Sequence, residues 1–253
     1  MTIKDFLYYL VDRITLGRGI RRKIQGRSIS FPPKWSRYYE NNYEKYTFGF
    51  FDKFVREGDT ILDIGAHIGL FAVVGAKIVG HGGTVYSFEP TPYTRSVLKE
   101  VVELNKVADI VKVRDEAVTD SVGVITFWDT GDRISNANST IPTERMVDHY
   151  EIPCTTIDAF VEQNHLYVNC IKIDVEGAEL NLLRGAQKTL ERCRPILRLG
   201  LHPQVIVSNK QSLADVWNLL TDHGYVFEFE DERVDEDWFL SQNNLFDVTL
   251  RPV

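Results

Sequence analysis

From Asp59 onward, short apolar runs of strand length alternate with segments whose apolar residues return every three to four positions. "TILDIG" is followed by "GLFAVVGAKIV" and "GTVYSFE" by "TRSVLKEVVELN", after which "DIVKVRDEAV" reads as a third strand. A period that switches between two and about 3.6 predicts strands alternating with helices. That order implies a mostly parallel sheet with helices on both faces. After a strand-like "GVITFWD" and a polar loop over 131–146 comes "TTIDAFV", and "VNCIKIDV", "AELNLLRGAQKTL" and "PILRLGL" resume the alternation. Leu180, Leu183, Ala186 and Leu190 fall on one face of a single predicted helix. "SLAD" at Ser212 is a capping-box start for a helix bearing Leu213, Val216, Trp217 and Leu220. The chain closes on "YVFEFE" and "FDVTLR", a strand pair around an acidic, Trp-containing insertion.

Residues 1–50 break this pattern. Ile3, Phe6, Leu7, Leu10 and Ile14 make an apolar helical stripe, followed by the basic run "RGIRRKIQGR" and an aromatic-rich stretch. The expected division is an N-terminal helical, basic appendage over 1–50 that packs on or caps an α/β domain over 51–253. With 253 residues, 43% of them hydrophobic, the chain can bury a full core. Cys154, Cys170 and Cys193 are odd in number, far apart and outside any CxxC, so reduced, buried thiols are expected. "FLYYLV" is cut short by Asp12 and Arg13, and no run nears the ~20 apolar residues of a spanning helix, which points to a cytoplasmic protein. Residues 1–37 hold nine Lys/Arg against two Asp, so the body is more acidic than the net charge of -7 suggests. An acidic body argues against a nucleic-acid partner. For the basic arm two readings stand: a lid packed on the sheet, or peripheral contact with an anionic membrane.

The stretch "DTILDIGAHIGLF", 59–71, sets an acid and two glycines between two apolar runs. A dinucleotide site would carry G-x-G-x-x-G, and a phosphate loop its lysine; only Gly65 and Gly69 are present. The turn suits a small anionic group held by backbone amides and a helix N-terminus, such as the carboxylate of S-adenosylmethionine. Glu89, ending the next strand, can accept ribose hydroxyls, a task shared by nicotinamide and S-adenosylmethionine sites. At the third strand end, Asp115 or Glu116 can receive an adenine amino group.

With these motifs in place the sequence resembles the FkbM-type S-adenosylmethionine-dependent methyltransferases, through "DTILDIGAHIGLF", "VYSFEP", "TTIDAF" and above all "IKIDVEGAELNLLRGA" at 171–186. The resemblance implies a class I methyltransferase, Rossmann-like sheet of seven strands with a reversed final strand. It also implies O-methylation of a saccharide, glycolipid or glycosylated small molecule, with the cofactor at Asp63, Gly65, Ala66, His67, Gly69 and Glu89. The chain departs from the family pattern at His67, where asparagine is usual, and at Gly200, where an acid usually precedes the histidine of "LRLGLHP" by two residues.

Methyl transfer to an alcohol is an in-line displacement in which the hydroxyl loses a proton. His202, Asp174 and Glu176, at strand ends, are the candidates to take it, with the Asp174 and His202 pair favoured over either alone and His202 the member whose ordinary pKa suits neutral pH. Asp174 and Glu176 have a second reading as anchors of the cofactor or of a divalent ion. Lys172 is expected to alternate outward on its strand. His67 is expected to touch the cofactor without moving a proton, and Arg133, Ser135, Asn136 and Asn138 to form a polar acceptor wall. The competing functions are a nicotinamide-dependent oxidoreductase and a non-catalytic nucleoside-binding module.

Overall fold

The computed structural model describes residues 14, 17–131 and 137–253. Ile3, Phe6, Leu7 and Leu10 of the predicted stripe, and Arg133, Ser135 and Asn136 of the polar loop, lie outside them. The basic run, expected within a helical appendage, is a hairpin of β1 (Ile20–Ile24) and β2 (Arg27–Phe31). Its turn explains the difference: Gln25 and Gly26 both adopt positive φ, 45° and 77°, as a two-residue primed turn requires. A 3-10 turn at Pro33–Trp35 and α1 (Lys45–Phe54) follow.

From there the predicted alternation appears. β3 (Thr60–Ile64), α2 (Leu70–Val79), β4 (Thr84–Phe88), α3 (Pro92–Leu104) and β5 (Val111–Arg114) come first. An excursion of β6 (Ala117–Val118), β7 (Gly123–Asp129) and β8 (Asp148–Thr155) makes a separate sheet ordered β6-β8-β7. α4 (Ile157–Gln163), β9 (Cys170–Ile173), α5 (Glu179–Arg184), α6 (Gln187–Cys193), β10 (Ile196–Leu201), α7 (Pro203–Ser208) and α8 (Leu213–Asp222) follow. β11 (Tyr225–Phe229), β12 (Glu232–Arg233), α9 (Glu236–Leu240) and β13 (Phe246–Pro252) close the chain. The main sheet runs β12-β11-β13-β10-β9-β3-β4-β5, with β13 antiparallel to both β10 and β11. The reversed final strand is therefore present, and β12 adds a two-residue eighth strand at the edge.

Two elements differ from the sequence pattern. The helix carrying Leu180 to Leu190 is broken into α5 and α6 at Gly185, whose missing side chain lets the backbone press on the Thr119 carbonyl. There the Asp158 N–H donates to the Gly185 carbonyl, fixing the bend. β8, which follows the predicted loop and matches no predicted element, contains Pro153, which argues against a paired strand. The proline is tolerated because two-residue β6 reaches only Cys154 and Thr155, leaving Pro153 with one neighbour strand.

The expected boundary at residue 50 does not separate two cores. α1 runs through it, and Ile24, Phe31, Phe48 and Phe51 share one apolar cluster with Ile61, Phe71 and Leu98. Phe51 stacks on Phe71 at 5.5 Å. The opposite face of the sheet packs Leu62, Ile171, Leu199 and Val248 against α4 to α9. The Ser212 capping box forms as predicted, and all three cysteines are free and buried. No helix among the described residues is long and apolar enough to cross a membrane.

Candidate active site

On the α1–α2 face, cross-strand register lines up Ser87, Asp63, Lys172, Arg198, Thr249 and Glu228 over β4, β3, β9, β10, β13 and β11. All six are buried, so a polar row crosses the middle of an otherwise apolar sheet. Two residues nearer the strand ends lies a second row: Glu89, Gly65, Asp174, Gly200 and Asp247. Acids alternate with glycines there, and the glycines make room. A side chain on Gly65, where φ is +76°, would overlap the Asp174 carbonyl. A Cβ on Gly200 would stand 2.9 Å from Asp247 Oδ1 and 3.5 Å from Asp174 Oδ1. The space an acid at Gly200 would fill is thus already taken by the carboxylate of Asp247 on the neighbouring strand.

Along this rim opens a cleft of about 930 Å³, solvent at its mouth included. Of the candidate site residues, Gly65, Ala66, His67, Glu89, Glu116, Asp174 and Glu176 line it. Gly65 and Ala66 N–H groups both donate to the Phe88 carbonyl, at 3.1 and 3.0 Å, and Asp174 N–H donates to Ile64 at 3.0 Å, tying the loops together. Gly69 does not line the cleft; it caps α2 with φ +86°, packed against Leu98. Glu89 accepts hydrogen bonds from His67 N–H at 3.0 Å and Thr91 N–H at 2.9 Å. Burial raises its pKa, and those bonds partly offset the rise. Each oxygen retains a lone pair for a ribose hydroxyl. Of the two adenine candidates, Glu116 lines the cleft and accepts from Arg114 Nε at 3.1 Å, whereas Asp115 is exposed outside it. Burial pushes Glu116 upward, but the Arg114 bond and backbone bonds outweigh it and leave its pKa lowered.

The wall opposite comes from segments that carry no motif. Tyr38, Tyr39, Tyr43 and Glu44, between the hairpin and α1, line the cleft together with Phe127 of β7 and Asn138, Ser139 and Thr140. Ser139 donates to the Glu176 carbonyl at 3.0 Å, latching the excursion onto the β9 end, and Asn138 Oδ1 is committed to Thr130 N–H at 3.0 Å. His67 sits among rings, 5.1 Å from Tyr38 and 6.0 Å from Trp35, with Nδ1 3.2 Å from Tyr39 Oη. Burial drives its pKa down to about 4, so it is neutral, and its buried Nε2 has no hydrogen-bond partner.

Lys172 corrects its predicted outward position: it is 5% exposed and lines the cleft. A cation in a fully buried apolar strand must face carboxylates, and that residue type inside "CIKI" was the available signal. Beside it Asp63 is fully buried, lies outside the cleft lining, and has its pKa raised to about 6 by burial, despite the Lys172 charge.

Asp174, Glu176 and His202 come together as predicted, their donor atoms within 4.8 Å of one another, a spacing that could hold a cation. His202 Nε2 is 3.2 Å from Glu176 and its Nδ1 is 2.7 Å from fully buried Glu179. Burial lowers an imidazole pKa, but bonds to Glu176 and Glu179 outweigh it and lift His202 to about 11. An imidazolium has no lone pair, so His202 is not the base expected; it braces the turn that presents Asp174 and Glu176. That turn is tight, with Glu176 at φ +53° and Gly177 at φ +98°.

The mostly parallel sheet with a reversed final strand and helices on both faces is the class I S-adenosylmethionine-dependent methyltransferase fold. The cradle at Gly65 and the spare lone pairs of Glu89 fit that cofactor. Residues 63–227 match the Methyltransferase FkbM domain, and the chain belongs to that family. It is 27% identical over 162 residues to the 31-O-demethyl-FK506 methyltransferase FkbM of Streptomyces tacrolimicus, covering 53% of this chain and 61% of that one. The chain thus spans less than two thirds of that relative. Among solved structures, a Clostridium thermocellum protein assigned as an rRNA methylase superposes with TM-score 0.53 at 12% identity, over 85% of this chain and 98% of that chain. The methyltransferase FkbM of Methylobacillus flagellatus gives 0.48 at 14% identity, over 80% and 50%.

Proposed function

We propose that this protein transfers the methyl group of S-adenosylmethionine to a hydroxyl oxygen of a saccharide, glycolipid or glycosylated small molecule. The observation that carries the reading is one cleft with Glu89, whose oxygens keep lone pairs for a ribose, at one end and a partly exposed carboxylate, Asp174, at the other. The named activity of the Streptomyces relative, methylation at an oxygen, supports the same chemistry. Tyr38, Tyr43 and the polar 138–140 segment suit a hydroxyl-bearing ring. When bound, the sulfonium supplies an activated methyl carbon. The protein's work is alignment: Gly65 and Glu89 fix the adenosyl end, and the opposite wall orients the acceptor oxygen. Asp174 is the residue placed to take the proton of the acceptor hydroxyl as it is methylated. His202, already protonated, holds the turn and takes no part in that transfer.

The test is intact-mass analysis of candidate acceptors after incubation with labelled S-adenosylmethionine. Gain of one methyl group on a hydroxylated acceptor is expected, and Asp174→Asn should lower turnover by ~10²- to 10⁴-fold. Tight nicotinamide-dinucleotide binding with no S-adenosylmethionine binding would sink the reading.

A further inference from the structure

Among the described residues the cleft lining carries five carboxylates, Glu44, Glu89, Glu116, Asp174 and Glu176, against one ammonium, Lys172. Four of the acids are accounted for. Glu89 is held by two backbone amides and faces the ribose, Glu116 pairs with Arg114, Glu176 with His202, and Asp174 stands 3.8 Å from Lys172. Glu44, half-buried, has no cation within ion-pair distance among the described residues. Burial raises its pKa; the Lys172 charge and a hydrogen bond from the Tyr43 hydroxyl only partly offset that, and Asp247 and Asp174 push it further the same way. Its side chain keeps lone pairs for a ligand donor.

Nor is Glu44 an ordinary helix cap. It precedes α1, yet its side chain caps nothing, and its backbone sits at φ 40° and ψ 55°, a left-handed conformation unusual for a glutamate. The hairpin turn pins this segment: Gln25 N–H donates to the Asn41 carbonyl at 2.8 Å, and Gln25 Nε2 to the Tyr43 carbonyl at 3.3 Å. Glu44 thereby lines the cleft at the end of a strip of rings, Tyr38, Tyr39 and Tyr43, whose centroids lie 4.9 and 4.6 Å apart. The charges it feels, Lys172, Asp247 and Asp174, belong to the β9 to β13 side of the sheet, away from Glu89 at the end of β4. That is the acceptor half of the cleft. An anionic acceptor would add to the excess of negative charge there. A neutral polyol would hydrogen-bond to Glu44 but leave the repulsion from Asp174 and Asp247 in place. An ammonium neutralises the carboxylate and suits the faces of aromatic rings. We propose that Glu44 selects the acceptor, its carboxylate binding an ammonium group on the hydroxylated ring, so that the substrate is an amino sugar. Paired in this way, the nitrogen keeps its proton and has no lone pair with which to attack the methyl carbon, which leaves the transfer to a hydroxyl. This rests on the methyltransferase reading and adds to it the charge of the substrate.

Calorimetric titration of the whole chain, saturated with S-adenosylhomocysteine, with glucosamine, N-acetylglucosamine and glucose tests it, since the last two lack the ammonium. Glucosamine should bind wild type about 10- to 100-fold more tightly than either, the worth of a charge-assisted bond. Glu44→Gln should remove that preference, and so should Glu44→Asn, whose shorter side chain tolerates left-handed backbone. Both variants should bind S-adenosylhomocysteine as wild type does, which shows that the pocket is folded. Glucosamine binding wild type no more tightly than glucose, or a preference that survives both substitutions, overturns the proposal. So does loss of S-adenosylhomocysteine binding in both variants, which would give Glu44 to the cofactor or to the fold. Wild type binding no S-adenosylhomocysteine would instead strike the methyltransferase reading, and this proposal with it.

Discussion

With Nε2 on Glu176 and Nδ1 on Glu179, His202 holds its proton well past neutrality, and stability must follow that proton. Its pKa rises from 6.5 to about 11 on folding. The stabilisation is therefore complete below about 6.5 and is lost as pH climbs through 11. His202→Gln should cost on the order of 3 kcal/mol below that lower limit, because it leaves two carboxylates without their cation. The gap from wild type should shrink as pH rises, which thermal melts across the alkaline range would show; a gap independent of pH would deny that His202 is charged. This also separates the site residues that sequence revealed from those it hid. Gly65, Glu89, Asp174, Glu176 and His202 end strands, where a polar residue after an apolar run stands out. The charge on His202 did not, since Glu179 reaches it only after a helix start and a full strand intervene. Lys172 was placed on the wrong side because strand alternation gives a face but not which face is covered.

Between β9, β10 and β13, glycine and acid trade places across strands. Gly200→Asp alone should destabilise the fold, because its Cβ would enter the space held by the carboxylates of Asp247 and Asp174. Adding Asp247→Gly should restore part of that loss, with a coupling of about 1 to 3 kcal/mol in a denaturant double-mutant cycle. Additive effects would show that the two positions do not share one space. Elements with clear periodicity were legible: the order of β3 to β5, the return through β9 and β10, the Ser212 cap and the final antiparallel pair. Elements set by distant partners were not. Pro153 concealed β8 because its tolerance depends on how short β6 is, and the break at Gly185 depends on the Thr119 backbone, far away in sequence.

At the scale of the whole molecule, the hairpin and α1 complete the core of one sheet face instead of forming a detachable unit. A chain starting at residue 56 would lose Ile24, Phe31, Phe48 and Phe51 from the cluster around Phe71, and Arg198 would lose its 3.1 Å bond to Thr47. Such a truncation should melt without cooperativity and be cut rapidly by protease; a sharp melt near that of wild type would restore the idea of two domains. The same segment closes one wall of the cleft, so fold and ligand site are completed together. It also installs an optical reporter. None of the four tryptophans lines the cleft: Trp128, Trp217 and Trp238 pack against His149, Phe227 and Phe229, while Trp35 contacts the rings of His67 and Tyr38, which do line it. Ligand entry should alter the emission of Trp35 alone, and in Trp35→Phe the fluorescence change on adding S-adenosylhomocysteine should vanish while calorimetry still registers binding, giving a continuous, label-free signal with which to screen for the acceptor.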